Sequence, residues 1–242
     1  MGNDPPGEDF TATRWSRVIE ARGEAPEARA ALSDLCAAYY APVLAFLRRE
    51  RGDDDAAREL AHEFFERLLE GSGVAGADPE RGKFRSFLLG AVKHFLGDRR
   101  DHELRQKRGA GATHESLDAG TDSAPGLAIA DANALPPDVL FDRQWALTLL
   151  DRAFNSLEAE LSAEGKAAHL EVLKPWLVAD ADRGAQADAA AQLGVSETAV
   201  RVIVHRLRQR YREAVRAELR QTLAPGASVE EELQCLFAAL AA

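Results

Sequence analysis

A chain of 242 residues with a formal net charge of -10, 46% hydrophobic and 29% charged residues has the composition of a folded globular protein. The length allows one large domain or two small ones, each able to bury a usable core if its helices pack well. No stretch approaches the roughly 20 consecutive apolar residues of a membrane span, and the opening MGNDPPGEDFTATRW resembles neither a signal peptide nor a myristoylation site, so a cytoplasmic location is expected.

In chain order, apolar residues recur at helical spacing almost everywhere and no convincing alternating strand pattern occurs, so the expected fold class is all-α. After an N-terminal extension over 1–26, Ala28, Ala31, Leu32, Leu35, Tyr39, Val43, Phe46 and Leu47 share one face of a long helix that Pro42 is expected to kink. Gly52 and the run Asp53, Asp54, Asp55 stop that helix and start the next, because acidic side chains suit a helix N-terminus. The second helix carries the stripe Ala57, Leu60, Ala61, Phe64, Phe65, Leu68 and Leu69. Its exposed positions are expected to be Arg58, Glu59, His62, Glu63, Glu66, Arg67 and Glu70.

A glycine-rich loop over 71–82 leads to KFRSFLLGAVKHFLGDRR. There Phe84, Phe87, Leu88, Ala91, Val92, Phe95 and Leu96 are expected to face inward, and Lys83, Arg85, Lys93, Arg99 and Arg100 outward. From Arg81 to Arg108 basic residues outnumber acidic ones nine to three, reversing the sign of the chain as a whole. The pattern then dissolves into an acidic linker assigned to 109–140, with Glu115, Asp118, Asp122 and Asp131 but neither Lys nor Arg as far as Pro137. This is the expected boundary between two small helical domains, 27–108 and 141–222. In the second domain Trp145, Leu147, Leu149, Leu150, Phe154, Leu157 and Leu161 mark one amphipathic helix, and Leu170, Leu173, Trp176 and Leu177 another. The C-terminal extension, 223–242, holds a helix from Val229 to Leu240 that opens with Glu230, Glu231 and Glu232 and offers Leu233, Leu236, Phe237 and Leu240 on one side. Packing on the second domain is its favoured role; holding the two domains together in an inactive form is the other.

LGVSETAVRVIVHRLRQRYREAV, residues 193 to 215, carries the strongest functional signal. Ala187, Ala190 and Ala191 form a small-residue helix, Gly194 takes a sharp turn, and Ser196 caps a second helix, which is the sequence form of a helix-turn-helix. Val200, Val204, Leu207, Tyr211 and Val215 face the core. Arg201, His205, Arg208 and Arg212 share the opposite face, and arginine's planar fork pairs with guanine edges or phosphate oxygens. A solvated basic face on an ordinary amphipathic helix is the plain alternative. The coincidence of cap, turn, small-residue helix and arginine face favours DNA binding.

Together these segments resemble the bacterial extracytoplasmic-function sigma factors, from Trp15 to Leu240. ELAHEFFERLLE resembles the helix that docks on the β′ clamp of core RNA polymerase, DPERGKFRSFLLGAVKHFLGDRR the segment that melts and reads the minus-ten element, and FDRQWALTLLDRAFNSL with GVSETAVRVIVHRLRQRYREAVRAEL the domain that reads the minus-thirty-five element. Arg14, Trp15 and Ser16 and the ending Leu236 to Leu240 resemble a subgroup often associated with serine/threonine kinases. The resemblance implies polymerase docking through Asp55, Arg58, Glu59, His62, Glu63, Glu66 and Arg67, with the β flap as a further contact. It implies minus-ten contact and melting through Lys83, Arg85, Lys93, His94, Asp98, Arg99 and Arg100. Upstream duplex contact falls on Ser196, Glu197, Thr198, Arg201, His205, Arg208 and Arg212. Where family members carry Asp-Ala-Glu-Asp before the docking helix, this chain has Ala56, Ala57, Arg58 and Glu59. Asp53, Asp54 and Asp55 are expected to compensate, with phosphorylation as the other route to negative charge. A serine/threonine kinase or an anti-sigma factor is the further partner implied.

No catalytic residue, cofactor or metal is expected. Cys36 and Cys235 read as buried reduced thiols without ligand spacing. His62 to Glu66 departs from the zinc-protease pattern because Glu66 replaces the second histidine, and Glu59, Glu63, Glu66 and Glu70 lack the Glu-x-x-His pairs of a carboxylate-bridged metal bundle. The serious alternative function is a helix-turn-helix regulator acting without polymerase.

Overall fold

A computed structural model describes residues 26–69, 83–109, 135–177, 183–223 and 226–242. The described residues form α1 (Pro26–Arg51), α2 (Asp54–Leu69), α3 (Phe84–Gly109), α4 (Pro137–Ala163), α5 (Ala167–Leu173) with a 3-10 turn (Lys174–Leu177), α6 (Arg183–Leu193), α7 (Glu197–Thr222) and α8 (Val229–Ala241), with no strand among them. The fold class is all-α. Most of the expected N-terminal extension, the glycine-rich loop with Glu70, and the linker between 110 and 134 lie outside the described residues. None of the described helices is long and apolar enough to cross a membrane.

The helix boundaries follow local chemistry. Gly52 takes a left-handed φ of 72° after α1, and the Asp53 carboxylate accepts the Asp55 N–H at 3.2 Å before α2 begins. α1 continues through Pro42, which is buried. Pro137 opens α4, where its missing N–H costs nothing. α4 ends at Gly165 (φ 72°), with Lys166 N–H donating to the Leu161 carbonyl at 2.8 Å and Gly165 N–H to that of Ser162 at 3.0 Å. That pair of bonds is a Schellman cap, which lets a chain turn sharply without leaving carbonyls unpaired.

Buried side chains gather in two clusters, and the division between them does not fall at the acidic linker. The first contains the inward faces of α1, α2 and α3, such as Tyr39, Leu47, Phe64 and Leu88, but also Phe141, Trp145, Ala146, Leu149 and Ala153 of α4, Val215 and Leu219 of α7, and Leu236 and Ala239 of α8. The second holds Leu157 and Leu161 of α4, Leu170, Leu173 and Trp176, Ala189 and Ala190 of α6, and Val200 and Leu207 of α7. α4 and α7 therefore each run through both. Among the described helices α4 packs most extensively against α1. Aromatic rings tie α3 to its neighbours, edge-to-face: Phe84 against Tyr39 at 5.2 Å and Phe95 against Phe64 at 5.7 Å.

Three expected orientations, at Leu147, Phe237 and Arg85, are corrected. Leu147 is 41% exposed, because the buried stripe of α4 advances by three and four residues from Trp145 to Leu149, and a position two beyond Trp145 faces the other way. Phe237 is 60% exposed, since the inward side of α8 is Glu232, Leu236 and Ala239. The helix is rotated to carry Glu232 inward toward Lys83 and Arg85. Ala187 and Ala191 are exposed while Ala189 and Ala190 pack. Arg85 is not outward: its side chain is only 12% exposed. Cys36 and Cys235 are free and half-buried, and burial pushes the Cys36 thiol up to about 11.

Leu219→Ala, at a fully buried position where α7 meets the first cluster, should cost roughly 2–5 kcal/mol of stability in chemical denaturation. Leu147→Ala should change it by no more than about 0.5 kcal/mol.

Candidate functional site

Three surfaces carry the residues singled out in the sequence. At the first, α6 ends on Gly194 (φ 65°), with Val195 N–H donating to Ala190 at 3.0 Å and Gly194 N–H to Ala191 at 3.4 Å, a second Schellman cap. Ser196 then begins α7 in extended backbone, its Oγ accepting the Ala199 N–H at 3.2 Å. Cap and turn together set α6 against the start of α7, and the buried Val200, Leu207 and Val215 with half-buried Val204 and Tyr211 fix which side of α7 looks out. The Tyr211 hydroxyl donates to the Leu150 carbonyl of α4 at 3.3 Å, and burial raises its pKa.

The outward side shows Ser196, Glu197, Thr198, Arg201, His205 and Arg212 exposed. Arg208 is half-buried, with Nε donating to the Trp176 carbonyl at 2.7 Å. That bond pins the Arg208 side chain. Trp176 and Gln186 line the same cleft as Arg201, His205 and Arg208, and neither was marked by the sequence; Gln186 belongs to no motif, and Trp176 read only as core. Beside this face, Arg210 makes two hydrogen bonds to Glu164, at 3.1 and 2.6 Å, and pairs with Glu160 at 2.6 Å.

The second surface is the outward side of α2. Glu59 and Glu66 are exposed there. His62 Nε2 lies 3.1 Å from the Tyr40 hydroxyl, with the two rings stacked at 5.8 Å. Glu63 pairs with Arg99, and the Arg67 guanidinium lies 5.4 Å from the Phe95 ring. Asp54 pairs with both Arg48 and Arg58, and Asp55 with Arg58 at 3.2 Å. The hydrogen bond from Arg48 holds the Asp54 carboxyl below the usual range. Two of the three aspartates expected to compensate for the missing acidic motif are therefore already neutralised by arginines of their own chain.

The third surface is the cationic side of α3. Lys83 pairs with Glu232 and donates to Cys235 Sγ at 3.2 Å. Arg85 donates to Glu232 at 2.9 Å and to Asp142 at 2.5 Å, with its guanidinium 4.4 Å from the Trp145 ring centre. Lys93 pairs with Asp138 at 2.5 Å, His94 with Asp98 at 3.2 Å, Arg99 with Glu63 and with Glu103 at 3.3 Å, and Arg100 with Glu50 at 2.9 Å. Burial works against the charge on Arg85, but Glu232 and Asp142 outweigh it and hold the pKa above its ordinary value; Lys83 is raised by Glu232 and Cys235 in the same way. Glu232, Asp142 and Asp138 were missed as members of this site. The only signal at Glu232 was a third glutamate where a helix N-terminus needs one or two; Asp138 and Asp142 carried none.

An open groove adjoins α3, floored by Phe64, Leu68, Phe87 and Phe95 with His94 and Asp98 at its edge. Chemically, the three surfaces comprise a cationic helix edge, a mixed-charge helix face, and a basic patch beside an aromatic floor. The second and third are linked by Glu63 and Arg99.

Arg210 and Lys166 depress the Glu164 carboxyl from 4.5 to about 2. A depressed carboxyl stabilises the fold above its unfolded pKa and loses that contribution as pH falls through the folded value. Arg210→Gln should return the Glu164 titration, followed by NMR, toward the ordinary range, and the wild-type pair should break between pH 4.5 and about 2. Comparison of the chain with family models, with curated proteins and with solved structures gave no match, so the reading of these surfaces rests on their geometry and chemistry.

Proposed function

We propose that this chain is a sigma factor of the extracytoplasmic-function type, which binds core RNA polymerase and directs promoter recognition and melting in the cytoplasm. The observation that carries the reading is the pairing of α6 and α7 through Gly194 and Ser196, with Arg201, His205 and Arg212 exposed on the side of α7 opposite its buried stripe. That is the form a helix-turn-helix takes when its second helix lies in a major groove, with residues near its start on base edges and later ones on phosphates. An isolated groove-reading helix has no use for a second basic region. Here α3 supplies one, beside an open groove at which half-buried Phe87 lies.

In this reading α1 to α3 form the polymerase-binding and minus-ten half, and α4 to α7 the minus-thirty-five half. Asp55, Arg58, Glu59, His62, Glu66 and Arg67 form the exposed part of the clamp-docking face, Asp55 and Arg58 being paired with each other. With Asp54 and Asp55 internally paired, the negative charge available to a basic clamp comes from Asp53, Glu59 and Glu66. The net charge of -10 suits a protein that should not hold promoters alone, because long-range repulsion suppresses binding outside the polymerase complex.

One observation favours the second reading, a regulator that binds DNA by itself: the α3 cations are engaged within the chain while Arg201, His205 and Arg212 stand exposed. A gel shift with and without core polymerase separates the two. Promoter binding and initiation that require polymerase support the sigma factor; tight binding to a palindrome by the protein alone supports the regulator.

Arg201→Ala should weaken discrimination at one upstream base pair by roughly 1–3 kcal/mol if the side chain pairs with that base, and weaken all sequences evenly if it pairs with a phosphate. Glu59→Lys combined with Glu66→Lys should abolish co-purification with core polymerase while leaving the helical circular dichroism unchanged.

A further inference from the structure

We propose that α8 and the start of α4 together compete internally for the basic site on α3: the carboxylates of Glu232 on α8 and of Asp142 and Asp138 on α4 occupy the cations that would otherwise meet nucleic acid, and so hold the chain closed. The inference rests on the reading given above for α3. Glu232 is the central group. Its side chain is 2% exposed, and it bridges Lys83 and Arg85 from 147 residues or more along the sequence. Asp142 adds a second carboxylate to Arg85, and Asp138 takes Lys93. These are three of the cations assigned to the minus-ten element, and their partners come from α4 and α8, beyond the linker.

Capping and packing hold α8 in place. Ser228 Oγ accepts the Glu231 N–H at 3.3 Å, and Leu236 and Ala239 are buried in the first cluster. That cluster also contains Phe84 and Phe141, so the two halves share one apolar interior. A helix that needed only to cover the end of α7 would place apolar residues inward, as Leu236 is. A carboxylate buried at position 232 is costly unless it meets charge, and the charge it meets is on α3.

The test uses the full-length chain and a short single-stranded oligodeoxynucleotide. A short amine-to-thiol cross-linker should join Lys83 Nζ to Cys235 Sγ, 3.2 Å away, within one chain, as identified by mass spectrometry. The linked protein should bind the oligonucleotide about tenfold more weakly than Cys235→Ser protein carrying the same reagent on Lys83 alone, a comparison in which the Lys83 charge is lost from both and only the link differs. Glu232→Gln with Asp142→Asn, at unchanged helicity, should bind about tenfold more tightly than wild type and with a steeper salt dependence. If that double variant fails to fold, the cross-linked wild type decides. Absence of the cross-link overturns the closure. Linked protein that binds as well as Cys235→Ser protein modified on Lys83 overturns the competition, as does a folded double variant that gains nothing. Association with core polymerase separates this proposal from the reading beneath it. A linkable, inhibited chain that never associates with polymerase upholds the closure and sinks the sigma assignment; linked protein that initiates normally from a promoter does the reverse.

Discussion

A carboxylate withdrawn from water must find positive charge, and Glu232 finds it on Lys83 and Arg85. Much of the architecture is arranged around that requirement. It turns α8 so that Phe237 faces solvent while Glu232 and Leu236 face inward. It draws Arg85 down onto the Trp145 ring, where the cation lies over a polarisable face and Asp142 completes its coordination. Each of these groups would be expensive to bury singly. Together they form a network in which the buried Glu232 and Arg85 carry the desolvation cost while Lys83 and Asp142 keep part of their surface in water, so removing a cation is felt most at Glu232.

The two apolar clusters bring this network close to the rest of the molecule. α4 leaves the first cluster after Ala153 and enters the second at Leu157, a single turn later; α7 makes the reverse passage between Leu207 and Val215. Two long helices therefore act as shared beams. Smaller ties reinforce them: Arg152 to the buried Glu218 at 3.2 Å, and Arg210 to Glu160 and Glu164. The second cluster, with the two Schellman turns at Gly165 and Gly194, orients α6 and the start of α7 independently of any contact with α3.

Local features were legible in the sequence, and long-range ones were not. The all-α class, the break at Gly52, the Gly194 turn, the Ser196 cap and the inward stripe of α7 all follow from periodicity and backbone chemistry within a few residues. The error at Leu147 came from taking residues spaced by two as one face of a helix. The errors at Arg85 and Phe237 have a different origin. Arginine was assigned to solvent by default and phenylalanine to the interior, and both defaults fail where a buried carboxylate from a distant helix sets the orientation. Asp54 likewise looked available for a partner until Arg48 and Arg58 were placed beside it. Nothing in a linear sequence marks which of several acids a given arginine will choose.

Tyr39 against Phe84, and Phe141, Trp145 and Leu149 beneath them, make the seam between the halves largely apolar. Parting that seam would wet at least three large side chains of α4, each disfavoured by roughly 1.5–3 kcal/mol. An unaccompanied open chain would thus be short-lived and prone to self-association. If the halves part as proposed, release would have to be chaperoned by whatever covers the stripe, and the lifetime of the extended form would be set by that host surface as much as by the strength of the ion pairs.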